Sequence, residues 1–169
     1  KDLIPLILDK TFSIDVLVNN AGKLINKAFD TFSFDEIQEI FNVNIFSPGL
    51  LIKELLPYLG KKRRSHVLNI SSMGGFQGSM KFPGLSYYAS SKAAIANLTE
   101  CLAAEYQDKN IAFNCLALGA VQTEMLSEAF PDYQANIQPE EIADFIADFA
   151  LHGQNYFNGK IIPVSNTNP

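Results

Sequence analysis

"IDVLVNNAG", residues 14–22, is a short apolar run that stops at two asparagines and a glycine. Val16, Leu17 and Val18 follow one another with no charge or proline among them, which reads as a strand buried on both faces and followed by a turn. The same unit returns in "HVLNISS" (66–72), "NIAFNCLALG" (110–119) and "NGKIIPV" (158–164). Helical patterns fill the intervals. Residues 33–59 open with Ser33 and Glu36 in capping-box spacing and place Ile37, Ile40, Phe41, Leu51, Leu55 and Tyr58 at helical intervals. Residues 88–106 put Ile95, Leu98, Leu102 and Tyr106 on one stripe, and residues 139–153 begin with proline and end with glycine. Strands alternating with such helices predict a doubly wound, Rossmann-like α/β fold, a parallel sheet with right-handed crossovers and helices on both faces. No repeat, low-complexity stretch or linker divides residues 1–169, so they read as one domain. The first strand reads as a central one, and "LIPLILDKTF" resembles the last turns of a helix. The expectation is that further N-terminal strands precede this part of the fold.

Bulk properties narrow the function classes. Of 169 residues, 47% are hydrophobic, and the formal charge of −5 leaves no basic footprint for nucleic acid. The cationic run Lys61, Lys62, Arg63, Arg64 reads as a solvated loop. No apolar run is long enough to cross a bilayer, so no membrane partner is expected and the cytoplasm is the predicted compartment. Cys101 and Cys115 lack metal or disulfide spacing and read as small core residues in a reducing setting. His66 and His152 have no carboxylate or cysteine at catalytic spacing, and His152 suits the negative end of a helix dipole.

Polar and glycine residues gather after three strands: Asn19-Asn20-Ala21-Gly22, Ser71-Ser72-Met73-Gly74-Gly75 and Gly119-Ala120-Val121-Gln122-Thr123. All lie at the carboxyl ends, where such folds hold ligands. Strand termination alone accounts for any one of them. In "SYYASSK" (86–92), Tyr88 and Lys92 are four residues apart and share a helical face, whereas Tyr87 has only Ser91 at that spacing. A phenol with a pKa near 10 becomes a usable general acid/base when a cation lowers that value. Read alone, the pair is equally an ordinary exposed helix pair.

Together, Asn19-Asn20-Ala21-Gly22, Asn44, Ser72, Tyr88-Ala89-Ser90-Ser91-Lys92 and Gly119-x-Val121-x-Thr123 stand in an order that resembles the short-chain dehydrogenase/reductase family. The resemblance runs from Ile14 to Val164. It implies an NAD(P)-dependent oxidoreductase that interconverts a carbonyl and a secondary alcohol, with NAD or NADP as cofactor and a homodimer or homotetramer as the assembly. Tyr88 would exchange the proton, Ser72 would bond the substrate oxygen, and Lys92 would lower the tyrosine pKa and hold the nicotinamide ribose. Asn44 would act through its backbone carbonyl and a water. Asn19, Asn20, Ala21 and Gly22 would line the adenosine side, and Gly119, Val121 and Thr123 the carboxamide side. Pro48, four residues after Asn44, has no N–H to give to that carbonyl, which adds a local reason for its role.

The chain departs from the family pattern in three places. Its glycine-rich TGxxxGxG turn is not found, Leu118 stands where proline is usual, and "VSNTNP" (164–169) replaces the usual glycine-rich ending after the last strand. Family likeness also makes residues 124–137 a substrate lid. With Met125, Leu126, Phe130 and Tyr133 facing Met73, Phe76, Met80 and Phe82, a small apolar carbonyl or alcohol substrate is expected, or else plain packing. The alternative for the whole chain is a non-catalytic member that binds a ligand or partner.

Overall fold

The computed structural model describes residues 3–166 and contains the expected sheet. Strands β1 (Val16–Asn19), β2 (Ser65–Ser72), β3 (Ile111–Leu118) and β4 (Lys160–Val164) run parallel in the order β1-β2-β3-β4. Around them stand α1 (Leu3–Lys10), α2 (Phe34–Phe41), α3 (Ser47–Leu55), α4 (Ser86–Glu105), α5 (Glu124–Ala129) and α6 (Pro139–His152). Period-two alternation divides β2 and β3 between two cores. Val67 and Phe113 pack with Ile52, Leu59 and Ala103 on the α3–α4 face, and Leu68, Ile70 and Leu116 pack with Phe149 and Ala150 of α6 on the other.

That division sets the hand of the connections. The β1–β2 and β2–β3 crossovers pass over one face and β3–β4 over the opposite one, so the last has the opposite hand to the first two. Uniformly right-handed crossovers were expected. To change faces, the chain after β3 must pass across the carboxyl ends of the strands. The segment with α5 makes that passage.

The predicted helix at 33–59 is not continuous. Both bonds of the capping box are present, with Glu36 N–H donating to Ser33 Oγ at 3.2 Å and Ser33 N–H to Glu36 Oε2 at 2.8 Å. A π-helical turn, Asn42–Phe46, then separates α2 from α3, and Ser47 N–H donates five residues back to the Asn42 carbonyl. Pro48 stands at the junction of the two registers. Being without an N–H, it can serve neither Val43 in the wider register nor Asn44 in the α register. The extra residue shifts the phase of the helix, and Ile52 takes the core position expected of Leu51.

Three further expectations need correction. On β1, the edge strand of the described sheet, Val18 is 38% exposed instead of buried. Cys115 is buried as expected, but Cys101 lies on the outer side of α4 and is exposed. Within α4 the buried stripe is made of Ser91, Lys92, Ile95, Ala96, Thr99 and Ala103, while Leu98 and Leu102 are only half-buried. Small residues are needed because the helix lies close to its neighbours. A Cβ on Gly75 would come within 2.6 Å of the backbone at Lys92 and Ala93, and one on Gly159 within 3.0 Å of Ala103 Cβ.

At the opposite end of the sheet, the cationic run is partly pinned. Arg63 pairs with Asp15 at 2.6 Å, and Arg64 Nη1 donates to the Gln154 carbonyl at 2.8 Å. His66 is fully buried between the Ala150 carbonyl and Asn114 Nδ2, each 3.0 Å away, which fixes a neutral ring with its proton on Nδ1. Burial lowers its pKa accordingly. His152 is exposed and does have a carboxylate partner, Asp148 Oδ1 at 3.0 Å.

Candidate active site

β2 delivers Ser72 at its last position, where the chain turns sharply. The Ser72 Oγ accepts from Gly74 N–H at 3.1 Å, which leaves its own proton to be donated. α4 enters the same region with Tyr88 in its first turns. Ser72 lies near enough to the Tyr88 phenol to pull its pKa down, but burial is the larger influence and holds that pKa above the ordinary phenol value.

The expected effect of Lys92 on Tyr88 is not found. Lys92 is 5% exposed and its ammonium donates to the Ile70 carbonyl at 2.9 Å, with Nζ lying 5.9 Å from the centre of the Tyr88 ring. The cation therefore lies over the Tyr88 ring. Burial lowers the lysine's own pKa to about 8, against a small opposing influence of Cys115. Tyr87, by contrast, is a packing residue. It stacks on Phe29 at 5.3 Å and meets Phe32 edge-on at 5.0 Å, tying the 29–32 segment to α4.

Asn44 sits in the π-helical turn, 2% exposed, with its side chain fully used. Its Oδ1 accepts from Lys23 N–H at 2.7 Å, and its Nδ2 donates to the Lys23 carbonyl at 2.9 Å and to Ser91 Oγ at 2.8 Å. Ser91, fully buried, donates in turn to the Tyr88 carbonyl at 2.7 Å. The loop just after Gly22 is thereby fixed to the turn of α4 that carries Tyr88. Gly22 lies beside the lysine, since a Cβ there would be 3.5 Å from Lys92 Nζ and 3.8 Å from Asn44 Oδ1.

Other assigned residues divide. Asn20 and Ala21 are exposed on the loop after β1. Asn19 is turned into the fold instead, its Nδ2 donating to Asn69 Oδ1 at 2.7 Å, and Asn69 continues to Thr99 Oγ1 at 2.9 Å. Gly119 packs against Ser165, where a Cβ would come within 2.7 Å of its Oγ, and Gly119 N–H donates to Val164 O at 2.8 Å. Val121 is half-buried, and exposed Thr123 caps α5 by accepting from Leu126 N–H at 3.2 Å. Ser91, Asn69 and Lys23 were not singled out from sequence. Only Asn69 left a signal, as a polar residue inside the apolar run "HVLNISS".

The apolar residues expected to face one another are split between two places. Met125 reaches the cleft beside Gly22 and Lys92, its Cε 3.5 Å from where a Gly22 Cβ would be. Phe76 and Phe82 instead line a separate cavity of about 440 Å³ with Ser86, Ala89, Ser90 and Ala93, on another face of α4 from Lys92. Met80, Phe82 and Tyr133 are at least half exposed, at 61%, 55% and 50%.

Comparison with known proteins agrees with this arrangement. Residues 1–134 match the short chain dehydrogenase family. The 3-oxoacyl-[acyl-carrier-protein] reductase FabG of Thermotoga maritima is 29% identical over 97% of this chain and 70% of its own length. Its Aquifex aeolicus counterpart is 32% identical over 90% of this chain and 64% of its own length. The solved Pseudomonas aeruginosa RhlG/NADP active-site complex superposes with a TM-score of 0.82 at 25% identity, covering 96% of this chain and 69% of that one. The chain thus spans about two thirds of the length of these relatives. With the parallel sheet, the strand-end residues and the Ser72, Tyr88, Lys92 and Asn44 cluster in place, this chain belongs to the short chain dehydrogenase family.

Proposed function

We propose that this chain carries the proton-transfer side of an NAD(P)-dependent oxidoreductase that interconverts a carbonyl and a secondary alcohol. The observation that carries the reading is one cluster in which Ser72 lies beside the half-buried Tyr88 phenol and buried Lys92 lies over the same ring, its Nζ 5.9 Å from the ring centre. Relatives named as 3-oxoacyl reductases support a ketone as the reacting group.

Burial keeps the phenol protonated at neutral pH, so Tyr88 begins a reduction as the acid. Ser72, whose lone pair already takes Gly74 N–H, has its proton to offer to the same oxygen, where it stabilises the charge that develops. The residues present fit the nicotinamide half of a dinucleotide. Lys92 gives one donor to Ile70 and has two more for ribose hydroxyls, and Gly22 sets no side chain between that ammonium and the cleft. Because the Thr123 hydroxyl caps α5, it is the backbone at Val121 and Thr123 that would meet the carboxamide. Asn20 and Ala21 would border the adenosine side. When bound, NAD or NADP supplies or accepts the hydride.

Free thiols at Cys101 and Cys115 support a reducing, cytoplasmic setting. Exposed Phe34, Phe46 and Leu50 on α2 and α3 and the turn between them support association with a second copy, as a homodimer or homotetramer. The functional reading is tested with Ser72→Ala in the full-length protein. The expected result is a kcat for ketone reduction lowered about 100-fold with dinucleotide affinity unchanged, as for loss of one oxyanion donor. A kcat equal to the parent's contradicts the assignment.

A further inference from the structure

Between β3 and α6 the chain changes faces of the sheet, and both arms of that passage meet at Gln122. The outgoing arm turns into α5, and the Gln122 Nε2 donates to Ser127 Oγ at 2.9 Å. The returning arm passes back alongside, where Gln122 Oε1 accepts from Ala135 N–H at 2.7 Å. Main-chain contacts close the neck of the loop. Gln122 N–H donates to Ile137 O at 2.9 Å, and Val121 forms a parallel bridge with Ile137. At the outer end, Asn26 Nδ2 donates to the Ala129 carbonyl at 2.8 Å. A six-residue helix such as α5 does not hold itself together in water. It depends on these ties, and what they hold in place is Met125, against Gly22 and Lys92.

We propose that Gln122 is a positioning residue for the reaction: its side-chain amide braces residues 123–135 into a lid over the cleft. This rests on the functional reading above. A primary amide suits the task because one group donates to the helix arm while the other accepts from the returning arm. Thr123, next in sequence, is held by the same construction, since its carbonyl accepts from Ser127 N–H at 3.0 Å and its own N–H donates to Val121 O at 2.7 Å. Each tie that restrains the lid lowers the ordering cost left to binding.

The test uses the full-length protein with Gln122→Ala and Gln122→Glu, read by amide hydrogen exchange over residues 124–130 and by the Kd for NADH and NADPH. In Gln122→Ala both arms are released. Exchange across α5 should quicken at least about tenfold, and Kd for the preferred dinucleotide should rise about tenfold, the loss expected for two ordinary hydrogen bonds. Gln122→Glu should stay near the parent on both readouts, because its carboxylate accepts from Ala135 N–H and from the Ser127 hydroxyl, which turns to it from the Thr123 carbonyl it now meets at 3.2 Å. Parental exchange rates in Gln122→Ala overturn the brace, and faster exchange with an unchanged Kd overturns the positioning role. A parent that binds neither dinucleotide overturns the functional reading, and the positioning role with it, while the exchange comparison still decides the brace.

Discussion

Lys92 carries an ammonium in a place that penalises it. The residue is 5% exposed and its pKa falls to about 8, while the unfolded chain keeps the ordinary value of 10.5. Between those values the folded state binds fewer protons than the unfolded one, so this group makes stability rise with pH through that window. Below pH 8 the penalty is constant, on the order of 3 kcal/mol. Lys92→Met should therefore be more stable than the parent at pH 7, with the gap closing as the pH approaches 10.5. Urea unfolding of both proteins across that range checks it, and a gap independent of pH would show that the ammonium is not strained. A side chain kept at such a cost fits a function that needs a cation there, and YxxxK spacing announced the pair at residues 88 and 92. What the spacing could not convey is the second partner: Lys92 Nζ donates to the Ile70 carbonyl on β2 while it lies over the Tyr88 ring.

At the scale of elements, α4 is placed by what its neighbours lack. Gly75 sits where any Cβ would be 2.6 Å from main-chain atoms at Lys92 and Ala93, and backbone does not move aside as a flexible side chain does. Gly75→Ala should destabilise the fold by about 1–3 kcal/mol, the usual range for overpacking, and should lower turnover as well because Tyr88 and Lys92 ride on the displaced helix. Denaturant unfolding and kcat measured on one preparation check both, and a variant with parental stability and turnover would mean that α4 is not seated on this glycine. Strand positions were readable in advance because β2 and β3 are buried along nearly their whole length and their apolar runs have sharp ends. Helix interiors were less so. The π-helical turn at Asn42–Phe46 is a change of register that apolar spacing does not encode, so Ile52 displaced Leu51 from the core. On α4 the apolar stripe pointed to Leu98 and Leu102, yet close packing selected the small and polar side chains one step round the helix.

For the whole molecule, the site exists because three parallel strands end side by side and a fourth segment crosses over them. Ser72, Tyr88, Lys92 and Asn44 are far apart in sequence and gather because β2, α4 and the π-helical turn converge at the carboxyl ends of the sheet. That convergence was legible from the order of the motifs. The change of face after β3 was not, since it depends on which side α6 packs, and Phe149 and Ala150 would satisfy an apolar core on either side. The buried chain Asn19–Asn69–Thr99 escaped notice for a similar reason: its partners are set by strand register, which aligns Asn19 with Asn69 across β1 and β2. The gathered cluster is proposed to move a proton through Tyr88. The most direct measurement is single-turnover oxidation of NADPH or NADH by a ketone in the full-length Tyr88→Phe and Tyr87→Phe variants, with dinucleotide binding measured on the same samples. The account predicts that Tyr88→Phe binds the dinucleotide but loses turnover by about 100-fold or more, as for removal of a general acid, while Tyr87→Phe retains most of it. Turnover in Tyr88→Phe equal to the parent's would contradict it.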